Sequence, residues 1–142
     1  MCIRDSVINL VGAGTDQPHL YTTAYDSSKA GVIRLTEALA REGGEHGLKT
    51  FAVFPGTVRT AMTEFILESP EGRKWRPSFG EIFAEGRDLG PEIAAEFILH
   101  LLSGRADALS GRWLDATRGV DDLIGRVEQL RERDIGVLRM RG

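Results

Sequence analysis

"VINLV", residues 7–11, is a nearly unbroken run of β-branched and apolar residues. Such a run is typical of a strand that is buried on both faces, as strands of parallel sheets are. The loop that follows, "GAGTDQPH", is rich in Gly and carries Asp and Pro, which favour turns. The run therefore predicts an interior strand that ends close to residue 12.

Beyond this loop the pattern becomes helical and then returns to a strand. Apolar residues recur at three- and four-residue steps over residues 24–46, and Gly residues at 43, 44 and 47 mark the end of the helix. "KTFAVF" at 49–54 predicts a second buried strand, which "PGTVRTAM" breaks sharply. The residues expected on the inward face of the helix are Val32, Leu35, Ala38 and Leu39.

The rest of the chain predicts one long loop and three further elements. Residues 63–90 contain several Pro and Gly residues and predict a loop with short helical turns. A helix is expected to begin at Pro91 and end before Gly104, then a short strand at "SGRWLDA" and an amphipathic helix at 120–133. The side chains expected to face inward from the first of these helices are Ile93, Phe97, Ile98, Leu101 and Leu102.

This order of elements predicts an α/β fold with parallel strand pairing. Three strands make a thin sheet, and two interior-type strands would then have too few neighbours to cover them. We therefore expect residues 7–142 to be the C-terminal portion of one domain whose N-terminal half is missing. Residues 1–6, "MCIRDS", are polar and patternless, and we expect them to be a non-native leader.

Composition excludes several classes of protein. Apolar residues make up 42% and charged residues 27%, and the net charge of −3 gives no reason to expect a nucleic-acid or membrane partner. The single cysteine, Cys2, forms no internal disulfide and suits a reducing compartment. No apolar run is long enough to cross a bilayer, no signal peptide is recognisable, and no metal-ligand spacing occurs, so a cytoplasmic protein is expected.

Two short motifs follow the two predicted interior strands. "VGAGTDQP" is not a dinucleotide fingerprint, because Gln17 occupies the third glycine position and Pro18 follows it. In "AYDSSKAG", however, Tyr25 and Lys29 lie four residues apart and therefore on one helix face. A phenol has a pKa near 10, and a neighbouring cation lowers it, which makes the phenol a workable general acid or base for a carbonyl or alcohol. Alone, the spacing also fits an ordinary amphipathic helix.

The combination of motifs is more specific than either one. Strand, Gly-rich loop, Y-x-x-x-K on a helix, strand and "PGTVRT" in this order resemble the C-terminal half of the short-chain dehydrogenase/reductase family. The resemblance runs from "VINLV" to "PGTVRTAM" and continues through "GRWLD". It implies a Rossmann-like doubly wound parallel sheet and hydride transfer between NAD or NADP and an alcohol/carbonyl pair.

The resemblance also implies roles for individual residues. Tyr25 matches the catalytic acid/base of the family, and Lys29 matches the lysine that lowers its pKa and holds the nicotinamide ribose. The residues that match the segment seating the nicotinamide carboxamide are Pro55, Gly56, Val58 and Thr60. Residues 61–88 fall where the family carries its variable substrate loop, whose aromatic residues Trp75, Phe65, Phe79 and Phe83 would either line a pocket or hold the loop down. The helix at 25–46 matches one that packs against a second copy, which implies a homodimer or homotetramer.

Two departures from the family pattern leave alternatives open. The family serine falls at Gly12, so Thr15, Thr22 or Thr23 would have to replace it along an altered loop path. His19, in the same loop, is a weaker candidate for substrate contact. The phosphate-binding loop belongs to the part of the family domain that this sequence does not match. A non-catalytic scaffold or cofactor sensor, and a gene fragment without activity of its own, therefore stand beside the enzyme hypothesis.

Overall fold

Three parallel strands form a sheet in this computed structural model, which describes residues 5–13, 15 and 17–139. The strands are β1 (Ser6–Leu10), β2 (Lys49–Phe54) and β3 (Trp113–Asp115), in the order β1-β2-β3. Ser6 pairs with Lys49 and Leu10 with Val53, and on the other side of β2 Ala52 pairs with Trp113. The predicted parallel pairing is therefore confirmed.

Seven α-helices connect and cover the strands within the described ranges. They are α1 (Thr23–Gly43), α2 (Ala61–Glu68), α3 (Pro70–Trp75), α4 (Pro77–Ala84), α5 (Pro91–Leu102), α6 (Val120–Gly125) and α7 (Val127–Glu132). Short 3₁₀ turns lie at Gly44–His46, Asp107–Leu109 and Ala116–Arg118. Among these described residues no helix has the length and apolarity that a membrane span needs.

Both faces of the sheet are covered, which is the doubly wound arrangement. Side chains alternate along β2: Phe51 and Val53 join a core with Phe97 and Leu101 of α5, while Ala52 joins Ile33 of α1 on the opposite face. All three of these β2 residues are inaccessible to solvent. The Rossmann-like α/β class is thus confirmed.

Several local expectations are wrong, and each error has a physical cause. β1 lies at an edge of the sheet with β2 as its one partner among the described strands, so its first four residues are half-buried and Leu10 is exposed, rather than all being buried on both faces. The region predicted as a loop with short helical turns is more regular than expected: residues 61–84 form three helices, because Pro70 and Pro77 each begin a new helix at its first turn. The helix predicted at 120–133 is interrupted at Arg126, which has a non-helical conformation.

The inward face of α1 also differs from the prediction. Ile33, Thr36 and Glu37 are buried, whereas Leu35 is 51% exposed. A buried carboxylate is tolerated here because Glu37 lies 2.6 Å from Arg34 and 3.1 Å from Arg139. In α5 Phe97 and Leu101 are buried as expected, whereas Ile93 and Leu102 are partly exposed.

Most of the proposed leader lies outside the described residues, since the description begins at residue 5. Ser6, its last residue, belongs to β1 and pairs with Lys49. Ser6 is thus part of the folded sheet, and a leader at 1–6 stays a prediction. Cys2 is among the residues that the structure does not describe.

A buried hydrogen-bond network fixes α1 to the sheet. The Asn9 side-chain amide donates to Thr36 Oγ1 at 2.9 Å, and Thr36 Oγ1 donates to Val32 O at 2.8 Å. Thr50 Oγ1 donates to Thr36 O, also at 2.8 Å, and both threonines are fully buried. Because polar groups at such depth are costly without partners, this network defines one seating of the helix on β1 and β2.

Replacing Thr50 by Val should destabilise the fold through this network. Thr50→Val keeps the β-branched shape and removes the hydroxyl that donates to Thr36 O. We expect the free energy of unfolding to fall by about 1–2 kcal/mol in urea titrations followed by circular dichroism. The matched control is Thr23→Val at the exposed start of α1, which should leave stability within about 0.5 kcal/mol of the parent. Equal stability of Thr50→Val and the parent would contradict the role of the network.

Candidate active site

The parallel pairing of β1 and β2 brings two loops together at one edge of the sheet. Leu10 lies opposite Val53, and the Val11 amide donates to Val53 O at 3.0 Å. The loop after β1 and the turn at 55–60 after β2 therefore begin from adjacent strand ends. The carboxyl ends of parallel strands are where open α/β sheets bind ligands.

Tyr25 and Lys29 face each other on the first turns of α1. Lys29 Nζ lies 5.8 Å from the centroid of the Tyr25 ring and donates a hydrogen bond of 3.1 Å to Leu10 O at the end of β1. The Tyr25 residue is 40% exposed, so its ring remains accessible to a ligand. The structure thus brings this pair together at the predicted edge, as the four-residue spacing indicates.

Gly12 accommodates the Tyr25 hydroxyl. Gly12 is buried, and a Cβ atom built on it would overlap the phenol oxygen and the adjacent ring carbons of Tyr25. The side chain of any other residue would displace the phenol from this position. The observed position of the Tyr25 phenol therefore requires glycine at residue 12, where the family has serine.

Burial and charge act on the Tyr25 phenol in opposite directions. Burial raises the pKa of Tyr25, the Asp26 carboxylate raises it further, and the Arg76 guanidinium lowers it. The net result is a pKa above the ordinary value of 10.0. The expected lowering of this pKa is therefore not what the arrangement produces, because desolvation of the phenolate and the Asp26 charge outweigh the Arg76 guanidinium.

Asp26 organises the loop in front of Tyr25, a role that the sequence interpretation missed. Its Oδ2 accepts hydrogen bonds from the His19 amide at 2.9 Å and from Thr22 Oγ1 at 2.7 Å. The hydrogen bond from the His19 backbone, followed by that from Thr22, lowers the pKa of Asp26. Between these residues Tyr21 has φ = 65°, a left-handed conformation that is unusual for a tyrosine. An Asp in the first turn of a helix after polar residues is the sequence signal that marks such a role.

The other loop residues considered as replacements for the family serine have structural contacts. Thr15 Oγ1 is buried and donates to Gly12 O at 3.1 Å. Thr22 is engaged with Asp26, whereas Thr23 is exposed. His19 contributes its backbone amide to the same carboxylate. These contacts hold the loop in shape.

The turn at 55–60 joins β2 to α2. Gly56 has φ = +85°, and a Cβ there would lie 2.7 Å from the Leu89 side chain, so only glycine fits. Val58 forms a parallel bridge with Leu89. Thr60 is the N-cap of α2 and forms a reciprocal capping box with Thr63. The turn is therefore rigid, and Pro55, Gly56 and Val58 stand at the end of β2 as predicted.

Helices α2–α4 approach the first site through aromatic contacts. The Tyr21 and Trp75 rings have centroids 4.7 Å apart, which places the end of α3 against the loop before Tyr25. The Arg76 guanidinium lies 4.9 Å from the centroid of Phe79, and that of Arg59 lies 4.6 Å from the centroid of Phe83. Trp75 therefore anchors the end of α3 to the loop before Tyr25. Phe65 is largely exposed.

A separate cavity of about 740 Å³ lies elsewhere on the molecule. It is lined by Thr15, Ile33, Trp113 and the residues at 133–139, and Tyr25 and Lys29 are not among its lining residues. The volume of this cavity would favour it as the active site. The side chains that can transfer a proton favour the surface around Tyr25 instead, because the paired phenol and ammonium lie there.

Comparison with known proteins identifies the family. A family model described as Enoyl-(Acyl carrier protein) reductase matches residues 4–121. The chain is 32% identical over 117 residues to the (3R)-3-hydroxyacyl-CoA dehydrogenase of Homo sapiens, a match that covers 82% of this chain and 43% of that protein. The chain belongs to the short-chain dehydrogenase/reductase family.

Solved structures show the same fold. The KRED1-Pglu enzyme superposes with a TM-score of 0.65 at 28% identity, covering 77% of this chain and 46% of that one. A variant of actinorhodin polyketide ketoreductase with NADPH gives a TM-score of 0.63 at 28% identity, covering 79% and 45%. The chain thus spans less than half the length of each of these three relatives.

The phenol of Tyr25 should titrate above the ordinary value of a tyrosine. The chain has two tyrosines, so Tyr21→Phe leaves Tyr25 as the one tyrosinate chromophore. Absorbance at 295 nm should then show a transition with its midpoint above pH 10, because burial and Asp26 disfavour the phenolate. Arg76→Gln in the same background should raise the midpoint further, since a cation that stabilises the phenolate is lost.

The matched control for this titration is Arg87→Gln. Arg87 belongs to the same segment but pairs with Glu85, so its loss should leave the midpoint unchanged. Circular dichroism at each pH verifies that the protein is still folded, and absorbance values from unfolded protein are left out of the titration. A midpoint at or below pH 10 in the Tyr21→Phe protein would contradict the balance of burial and charge described here.

Proposed function

We propose that this chain carries the acid–base part of an NAD(P)-dependent oxidoreductase that interconverts an alcohol and a carbonyl compound. The observation that carries the proposal is the pair of Tyr25 and Lys29, which face each other at the carboxyl edge of a parallel sheet, where Lys29 also donates to Leu10 O. Membership of a family whose named relatives include dehydrogenases and ketoreductases supports it.

Tyr25 Oη is the group that transfers the proton. In carbonyl reduction it donates its proton to the carbonyl oxygen, and in alcohol oxidation the phenolate accepts the hydroxyl proton. Because the pKa of Tyr25 is raised, the phenol remains protonated at neutral pH.

The residues present fit the nicotinamide end of the cofactor. Lys29 Nζ has three hydrogens, and its one hydrogen bond to Leu10 O leaves others for ribose hydroxyls. The backbone at Pro55, Gly56 and Val58, with the Thr60 hydroxyl, would hold the carboxamide. The bound cofactor supplies or accepts the hydride. Two solved relatives, one with NADPH and one with bound NADP, support a nicotinamide cofactor.

The proposal extends to assembly and location. α1 presents Leu35 to solvent, with 51% of its surface exposed, on the face opposite the buried Ile33 and Thr36. This apolar surface supports the homodimer or homotetramer that the family resemblance implies. A small alcohol or ketone is the proposed substrate. A cytoplasmic location agrees with the single cysteine of the chain.

A non-catalytic scaffold or cofactor sensor is the second candidate function. It is favoured by Gly12, which lacks a hydroxyl where the family has serine, and by the phenol that lies against this glycine. The retained Lys29 contact with Tyr25 favours the enzyme instead. A chain without any activity of its own is the third outcome that the following experiment distinguishes.

Replacing Tyr25 by Phe should abolish carbonyl reduction. NADH and NADPH oxidation would be followed at 340 nm with a panel of ketones, using this chain and the protein encoded by its full reading frame. Loss of the proton donor should lower kcat by roughly 100-fold or more. The matched control, Tyr21→Phe, changes the neighbouring tyrosine and should keep most of the activity.

Each other result selects another function. Turnover of Tyr25→Phe at the parental rate would exclude proton transfer by Tyr25. Binding of NADH or NADPH without turnover of any ketone would favour the scaffold or sensor. Neither binding nor turnover in the full reading frame would favour a chain without function of its own.

A further inference from the structure

Three neighbouring cations on and after α3, Arg73, Lys74 and Arg76, form no close ion pair among the described residues, although the Asp26 carboxylate interacts with Arg76 at longer range. Within the described ranges, no carboxylate lies within 4.0 Å of the charged groups of Arg73, Lys74 or Arg76, although Glu71 is close in sequence. In the segment at 59–88, which contains α2–α4, the other two arginines are paired: Arg59 with Asp88, and Arg87 with Glu85. Residues 73–76 therefore carry three cations that lack a close ion-pair partner, and the Asp26 carboxylate offsets part of the charge of Arg76.

This charge lies beside the candidate active site. Trp75 contacts Tyr21 at a centroid distance of 4.7 Å, so the end of α3 is held against the loop before Tyr25. The Arg76 guanidinium is half-buried and lies 4.9 Å from the centroid of Phe79, which restricts its movement. Its charge acts on both Tyr25 and Asp26.

Two of the three cations also line a cavity. The cavity measures about 290 Å³, and its wall combines apolar and cationic groups. Its lining residues are Ile66, Leu67, Arg73, Arg76, Pro77 and Gly80. A wall of apolar residues and two arginines suits a molecule that has a hydrocarbon part and an anionic end.

Guanidinium groups select their ligands by geometry as well as by charge. Their planar N–H donors match the oxygen atoms of carboxylates and phosphates and form paired hydrogen bonds with them. An arginine that is half-buried and already restrained loses less conformational freedom on binding than a fully exposed one. Arg76 meets both conditions, whereas exposed Lys74, which lies 4.4 Å from the Trp75 ring centroid, adds general positive charge.

We propose that Arg73 and Arg76 bind the anionic group of the substrate, a carboxylate or phosphate attached to an aliphatic chain that lies against Ile66, Leu67 and Pro77. This inference rests on the proposed function, because the bound molecule is the alcohol or ketone on which Tyr25 acts. The substrate class is therefore an anionic aliphatic hydroxy or oxo compound rather than a neutral one. Arg76 is a specificity-determining residue, since it links the cavity to the surroundings of Tyr25.

Binding of short probes to the chain tests this site without any cofactor. Hexanoate, hexyl phosphate and 1-hexanol would be titrated into ¹⁵N-labelled protein, with the amide signals of residues 66–80 followed by NMR. Hexanoate or hexyl phosphate should shift these signals saturably, and 1-hexanol should bind at least about tenfold more weakly because it lacks the charge. The stronger of the two anions identifies whether carboxylate or phosphate is preferred.

Variants locate the binding group. Arg76→Gln and Arg73→Gln should each weaken anion binding about tenfold. Arg76→Lys should retain part of the affinity, since it keeps the charge and loses the planar fork. The matched control Arg87→Gln removes a paired arginine of the same segment and should bind like the parent. The amide spectrum of each variant verifies that it is folded.

Equal affinity for hexanoate, hexyl phosphate and 1-hexanol would overturn the proposal, as would unchanged anion binding in both Arg76→Gln and Arg73→Gln. The NMR titration measures binding and does not depend on turnover. Anion binding without any ketone reduction would sustain this site and count against the proposed function. Reduction of neutral ketones without anion binding would support the proposed function and exclude the anion site.

Discussion

The parallel pairing of β1 with β2 is the constraint on which the candidate site depends. Parallel neighbours cannot be joined by a tight turn, so the chain must cross over through a helix, here α1. The carboxyl ends of both strands then meet at one edge, and the helix that leaves the first strand begins at this edge. The loop before Tyr25 and the turn at 55–60 therefore leave from adjacent strand ends, although they are far apart in sequence.

Buried polar contacts refine this placement. Thr36 receives the Asn9 amide on its hydroxyl and the Thr50 hydroxyl on its carbonyl, which ties one turn of α1 to β1 and β2 together. Lys29 adds a hydrogen bond to the last residue of β1. Apolar packing alone would allow the helix to slide or rotate, whereas these directed contacts are satisfied in one position. The direction of the Tyr25 ring follows from that position.

The pKa of the Tyr25 phenol depends on burial and on charged groups from two separate parts of the chain. Burial and Asp26 raise the pKa of Tyr25, whereas Arg76 approaches from a different part of the chain and lowers it. Asp26 at the same time holds the loop before the helix. The residue that opposes the phenolate is thus also the one that orders the loop against which Trp75 packs. Loop shape and proton affinity are therefore coupled at this site.

Much of this organisation can be read from the sequence. β-Branched runs predicted β1 and β2, the period of 3.6 residues predicted α1, and the four-residue spacing placed Tyr25 and Lys29 on one face. These features are local, because they depend on side-chain periodicity and on residues within one or two turns. The family and the fold class were accessible for the same reason.

Tertiary structure decided the rest. The buried face of α1 includes Glu37, which no hydrophobicity pattern would place inside, because its partner Arg139 is distant in the chain. The fit of the Tyr25 hydroxyl against Gly12 and the approach of Arg76 likewise depend on contacts between separate segments. A sequence specifies local conformation and chemical type, whereas burial, charge balance and pKa depend on which distant groups the fold brings within a few ångströms.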